Sequence, residues 1–269
     1  MGRFDRIVAG TRGLRAAALA LVVLTAADRP VDVPPAVANL YVEGRWQAAI
    51  DAATGLDSAD GYGLAARATL VRAGYEHDTR AAQRSGLAQA LALARQALSR
   101  DPDHAEGNLQ AAAALGYRAR FDSSIGDARA ARRHIDRALD AHPDNAWAQA
   151  ADGAWHGEVV LGAGPVIARV FFGASRAKAR VAFKRAQALA PDTIAVLFNE
   201  AQIRLRFGKP DDVAAAQALF SRIADLPPAN AFDALLQHHA AQVMALTDAG
   251  ADAMIDGLER FLPFRAEPA

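Results

Sequence analysis

Cysteine is absent from all 269 residues, so the chain has no disulfide frame, no thiolate metal site and no cysteine to carry a lipid anchor. Aromatic residues make up only 7% of a chain that is 52% apolar, and alanine supplies much of the difference. Alanine has the best helix propensity and lets helices approach closely, so a mostly helical protein is expected. Runs of β-branched residues in period-two alternation are almost missing, which argues against a sheet. Net charge is lacking as well, with 30 basic and 30 acidic side chains. Residues 1–27 hold Arg3, Arg6, Arg12 and Arg15 against Asp5 alone, and the remainder carries 26 basic and 29 acidic groups, a net of −3. Such a body has no electrostatic reason to seek nucleic acid.

The N-terminal apolar stretch is also short. Ala16 to Ala27 gives twelve apolar or small residues after the basic start, whereas a membrane-spanning helix needs about 20. A charged start, a short apolar stretch and small residues at Thr25 and Ala27 have the form of a secretory signal cut after Ala27. The expected location is therefore the periplasm. An uncleaved anchor and a cytosolic amphipathic start are the alternatives. Residues 28–36 contain three prolines and are expected to run as an extended leader.

Proline punctuates the rest of the chain. Pro102, Pro143, Pro191 and Pro228 each follow an Ala/Leu-rich run and precede another amphipathic one. Twelve residues before them stand Ala90, Ala131, Ala179 and Ala216. Eight before stand Ala94, Ile135, Phe183 and Phe220, and five before stand Ala97, Ala138, Ala186 and Ile223. Small residues are needed where two helices of a hairpin cross, and a bulky one fills the gap between neighbouring hairpins. This register resembles the second helix of the tetratricopeptide repeat. Leu40 to Ile50 resembles the turn and second helix of a further copy, with Gly44 ending its first helix, Trp46 after the turn and Ala49 at the crossing.

First helices follow the pattern less well. Gly153 stands where the family has glycine, but Gln149 and Asp152 stand where large apolar residues are usual. The prolines are 41, 48 and 37 residues apart, against about 34 for the family. The excess is assigned to turns inside the hairpins, at Phe121–Gly126 and Leu161–Ala174. The resemblance covers roughly residues 37–247. The stretch from Phe172 to Pro228 is also similar to an uncharacterised exported proteobacterial group of tetratricopeptide proteins, which implies no activity. The expected fold is an all-α, right-handed α-solenoid of about five TPR-like hairpins over residues 37–262. A capping helix, Asp252 to Phe261, closes it, followed by a frayed tail at 263–269.

Candidate binding residues follow from this frame. Trp147 and Trp155 share one helix face at i and i+8 and are read as a wall of a ligand groove or as hairpin packing. The 161–174 insertion carries Val166, Ile167, Val170, Phe171 and Phe172, too apolar to lie free in water. It packs back on the solenoid or meets a partner, a lipid or a small apolar ligand. The co-chaperone repeats that hold a peptide carboxylate use Lys and Asn on first helices. Here the corresponding places are Leu109 and Ala113, Ala150 and Ala154, Phe198 and Gln202. The groove is instead expected to be small and apolar, with Asn199, Glu200, Arg204 and Arg206 at one end.

Chemistry-bearing motifs are weak. His238 and His239 point about 100° apart on a helix and cannot share an ion. His156-Gly-Glu158 lacks the cysteines of a deaminase zinc site. Gly162-x-Gly164 precedes Pro165 and follows no strand, and Ser123-Ser124 has no glycine elbow. No cofactor, metal or catalytic residue is expected. The reading is a non-enzymatic periplasmic interaction or assembly scaffold with an exposed groove and a protein partner in the cell envelope. The alternative is a ligand-binding accessory protein, similar in kind to the repeat-built T component of TRAP transporters, with an apolar pocket near 161–174. Membrane contact is expected only through an uncleaved N-terminus or through 161–174.

Overall fold

The structure is a computed structural model and describes residues 33–264. The expected signal segment, and most of the leader, lie outside the described residues. Thirteen α-helices and no strand occur among the described residues. They are α1 (Pro35–Val42), α2 (Trp46–Thr54), α3 (Ala59–Tyr75), α4 (Arg80–Arg100), α5 (Ala105–Asp122), α6 (Ile125–Ala141) and α7 (Ala146–Ala163). Then follow α8 (Pro165–Phe172), α9 (Arg176–Leu189), α10 (Ile194–Phe207), α11 (Pro210–Asp225), α12 (Ala231–Met244) and α13 (Ala251–Phe261).

The prolines set the joints between hairpins. The helices before Pro102, Pro143 and Pro191 end with their cap on the residue preceding the proline, at Asp101, His142 and Ala190. A proline has no N–H to continue a helix. The next helix is capped two residues beyond each proline, at His104, Asn145, Thr193 and Asn230. Three of these caps accept backbone N–H groups of the first turn, which would otherwise stay unsatisfied. A second device recurs. Asn108 donates to the carbonyl of Pro102 and Gln149 to that of Pro143, at 3.1 and 2.9 Å. Gln149 thus stands in a place usually apolar because its amide ties the helix to its own entry turn.

All twelve residues at the −12, −8 and −5 positions before the four prolines are buried. They carry the hairpin crossings. Each first helix packs on its own partner and on the next first helix, in the order α3, α5, α7, α10, α12. This arrangement is an α-solenoid of TPR-like hairpins. Gly44 adopts φ +76°, the left-handed conformation expected of it.

Several boundaries need correction. The leader does not extend to residue 36, because α1 starts at Pro35, a residue suited to the first helical turn. The Phe121–Gly126 excess is not a long turn. Helices α5 and α6 are simply long, and only Ser123, at φ +51°, and the cap Ser124 separate them. The 161–174 insertion is not a loop either, since α7 runs to Ala163 and α8 follows directly. Pro165 opens α8, and Gly173, at φ +64°, closes it. The tail is not frayed from residue 263. Phe264 is buried against Tyr117 at 4.4 Å and Phe121 at 6.2 Å between ring centroids.

Candidate functional site

A repeat solenoid of this kind offers two surfaces, the inner face lined by first helices and the outer face of second helices. The inner face here is closed. Every residue from Glu106 to Tyr117 on α5 is buried, and so is every residue from Thr193 to Ile203 at and along α10. A helix buried all round has no face left for a partner.

The closure is made by the two ends of the described residues. Helix α12 touches α1. Gly44 lets them meet, since a Cβ there would lie 2.9 Å from the Cβ of Ala231. Tyr75 of α3 stacks edge-on against Phe232 at 5.6 Å, and His239 lies flat on Phe261 at 4.8 Å. Pro263 and Phe264 cover α3 and α5, with a cavity of about 10 Å³ beneath them lined by Leu70, Val71, Tyr75, Tyr117 and Phe232. Among the described residues the expected groove is therefore not exposed. The residues assigned to it, Leu109, Ala113, Ala150, Ala154, Phe198 and Gln202, are all buried.

Charges lie inside this closed face, in two groups. Near the N-terminal end, Arg67 Nε donates to Glu106 Oε1 at 2.6 Å, Gln110 donates to the same oxygen at 2.8 Å, and the Arg67 guanidinium sits 5.6 Å from the Tyr41 ring. Tyr41 Oη, Glu106 Oε2 and Asp233 Oδ1 are buried without a hydrogen-bond partner. Burial accordingly pushes the Asp233 carboxyl up to about 6 and the Tyr41 hydroxyl well above its usual range. Further along, Arg206 donates to both oxygens of Glu158, at 2.5 and 3.3 Å, and meets Glu259 of α13 at 3.1 Å. Arg120 approaches Glu259 at 3.6 Å. Burial opposes the Arg206 charge, but the two glutamates outweigh it and hold the group above its usual range. Arg204 bridges Glu200 at 3.0 Å and the fully buried Asp212 at 3.2 Å.

These contacts place the candidate residues. Trp147 and Trp155 are each only 2% exposed and belong to two different core clusters, so they form no groove wall. Trp155 Nε1 donates to the carbonyl of Ala128 at 3.0 Å, which satisfies its polar end. Phe198 and Asn199 are core residues, and Arg204 is held in ion pairs. His156 packs beside Trp155, and burial pulls its imidazole down to about 4. Glu158, two residues on, is the buried partner of Arg206. Sequence reasoning misses the first group, and of the second it singles out Glu200, Arg204 and Arg206 but not the pairing of the two arginines with buried Glu158 and Asp212. The signal of both groups is present as Arg67, Glu106, Arg120 and Glu158, charged residues set among apolar neighbours on first helices.

Helix α8 is the exception to burial. Val166, Val170 and Phe171 are 74%, 68% and 51% exposed. Ala168 and Phe172 face inward and join the cluster that contains Trp155. The Phe172 ring meets Trp155 edge-on at 6.4 Å, and the Arg129 guanidinium lies 5.8 Å from its centroid. The two adjacent phenylalanines thus have different roles. Phe172→Ser should lower stability by about 2 kcal/mol, as expected for half-burying an aromatic ring, whereas Phe171→Ser should leave it within about 0.5 kcal/mol. Thermal melts of the two single variants will show the split.

Among described residues no group of three or more His, Asp or Glu is placed to hold a metal ion, and no helix is long and apolar enough to cross a membrane. The crystal structure of a thermophilic TPR protein from Thermus thermophilus is similar in fold, with a TM-score of 0.53 at 19% identity, over 77% of this chain and 95% of that one. No curated protein matches the sequence significantly. The profile of the family described as "RMD1-3: Regulator of microtubule dynamics protein 1-3" matches residues 63–247, from within α3 to just beyond α12. More than half of the chain is covered, and the covered part is the stacked hairpins themselves. The protein is therefore a TPR-like helical repeat protein that belongs to the regulator of microtubule dynamics protein 1-3 family.

Proposed function

We propose that the protein is a non-enzymatic interaction scaffold of the cell envelope, exported to the periplasm, that engages a protein partner through its outer face. One observation carries this reading: the central first helices α5 and α10 are closed off along their length, while second helices leave Val181 and Leu189 of α9 and Ile125 of α6 exposed. Repeat solenoids hold partners on extended surfaces, and the surface left here is that of the second helices. The family description names regulators of a protein polymer, which fits a protein partner. The periplasmic part rests on the basic and then apolar pattern of residues 3–27. The accessory-protein alternative gains no support, because Ala168 and Phe172 pack into the Trp155 cluster where a pocket under α8 would have to open.

Site-specific photo-cross-linking in the native cell tests the reading. A cross-linker at Val181 or Leu189 should trap a protein partner, and one at Ala150 or Ala113 should trap none. Partners trapped from the inner positions alone would overturn it. N-terminal sequencing of the same material should find a chain starting near Asp28, and a cytoplasmic chain retaining Met1 would remove the periplasmic assignment.

A further inference from the structure

Helix α8 lies in a stretch of one-sided charge. From Val159 to Pro191 there are six basic side chains and no acidic one, in a protein whose overall charge is zero. Three cations surround α8 directly. Arg169 lies exposed on α8 itself, Arg129 lies over Phe172, and Lys178 Nζ donates to the carbonyl of Gly173 at 2.8 Å, just past the helix end. Neither Arg129 nor Arg169 has a carboxylate partner among the described residues. Between these cations, Val166, Val170 and Phe171 project outward.

An apolar ridge with a basic rim has a defined physical complement. Exposed apolar side chains cost free energy in water and gain it in an acyl boundary, while lysine and arginine stay at the headgroups. Interfacial helices are built in this way, with apolar residues buried shallowly and basic ones facing anionic lipid. A short helix gives marginal and reversible binding, suited to a surface contact rather than to an anchor. Helix α8 is also held rigidly. Pro165 and Gly173 fix its ends, and Ala168 and Phe172 fix its inner face. We propose that α8 and its basic rim dock the solenoid onto an anionic lipid bilayer. This adds a lipid surface to the scaffold reading and does not depend on which protein partner the scaffold holds.

Co-sedimentation with vesicles tests the docking, using the full chain as purified from its native cell. The parent should bind vesicles of phosphatidylglycerol with phosphatidylcholine, bind phosphatidylcholine alone far less, and dissociate as salt rises. Arg129→Gln with Arg169→Gln should weaken binding on the order of tenfold. The triple change Val166→Ser, Val170→Ser and Phe171→Ser should weaken it at least about tenfold. Any contribution of the N-terminal apolar segment is the same in all three proteins, so equal binding by all would overturn the proposal. Binding that ignores lipid charge and salt would also overturn it, even if a variant failed to fold. So would an apolar variant that only dissolved a dimer in sedimentation equilibrium, since the ridge would then be covered by a second copy. The cross-linking experiment on α9 reads the scaffold separately.

Discussion

Arg206→Met is expected to lower the unfolding free energy by about 3 kcal/mol, the typical cost of removing one partner from a buried ion pair. Glu158 is fully buried on α7, and Arg206 holds both of its oxygens. Methionine matches the arginine stem in shape but leaves the carboxylate in a medium that solvates it poorly. Arg120 also attracts Glu158 and pairs with Glu259 at 3.6 Å, so it softens the loss, but it does not replace the two hydrogen bonds that Arg206 donates. The loss should be largely recovered in the double variant Arg206→Met with Glu158→Leu, because an apolar pair of similar volume carries no uncompensated charge. Urea titrations of the two single variants and the double variant form a cycle that separates this pair from general packing. Equal and small losses in all three would mean that the pair is solvated and the inner face open.

The second large effect concerns the hairpin crossings. Ala131→Leu and Ala179→Leu should each cost about 1–3 kcal/mol, as is usual for overpacking a tight contact. Both alanines are completely buried at crossing positions. Ala177→Leu, on the exposed side of α9 only two residues from Ala179, should be nearly neutral. Gly153 follows the same logic, since a Cβ there would lie 2.9 Å from the Phe183 ring. Melting temperatures of the three leucine variants test the register. A loss at Ala177 equal to that at Ala179 would place the crossing elsewhere.

Local signals made most of the architecture readable. Each proline forbids a continuing helix, and the small residues behind it mark a crossing, so the register at Ala90, Ala131, Ala179 and Ala216 can be counted directly from sequence. The helical nature of α8 was also encoded, in Pro165 at its first turn and Gly173 past its end. It was obscured because Gly162 and Gly164 read as loop residues, although Gly162 lies in α7 and Gly164 only joins the two helices. Closure of the inner face was not legible. It depends on contacts such as Arg67 with Tyr41, Tyr75 with Phe232 and Tyr117 with Phe264, which join distant segments and leave no periodic trace. The buried charges were hidden for the same reason. A lone Glu158 in an apolar helix looks like a surface residue until Arg206, 48 positions away, is brought against it.

Because the natural chain has no cysteine, single thiols can report on the closed inner face directly. Ala113→Cys on α5 and Ala150→Cys on α7 place a thiol at the two positions where an open repeat would hold its ligand, and Val181→Cys places one on the outer face. Both alanines are at most 1% exposed, whereas Val181 is 53% exposed. Reaction with a water-soluble disulfide reagent should proceed at the rate of a free thiol for Val181→Cys. For Ala113→Cys and Ala150→Cys it should be slower by orders of magnitude, limited by opening of the fold, and should become fast in urea. Rapid labelling of the two inner thiols in the native protein would show an open concave groove and contradict a scaffold that works from its outer face.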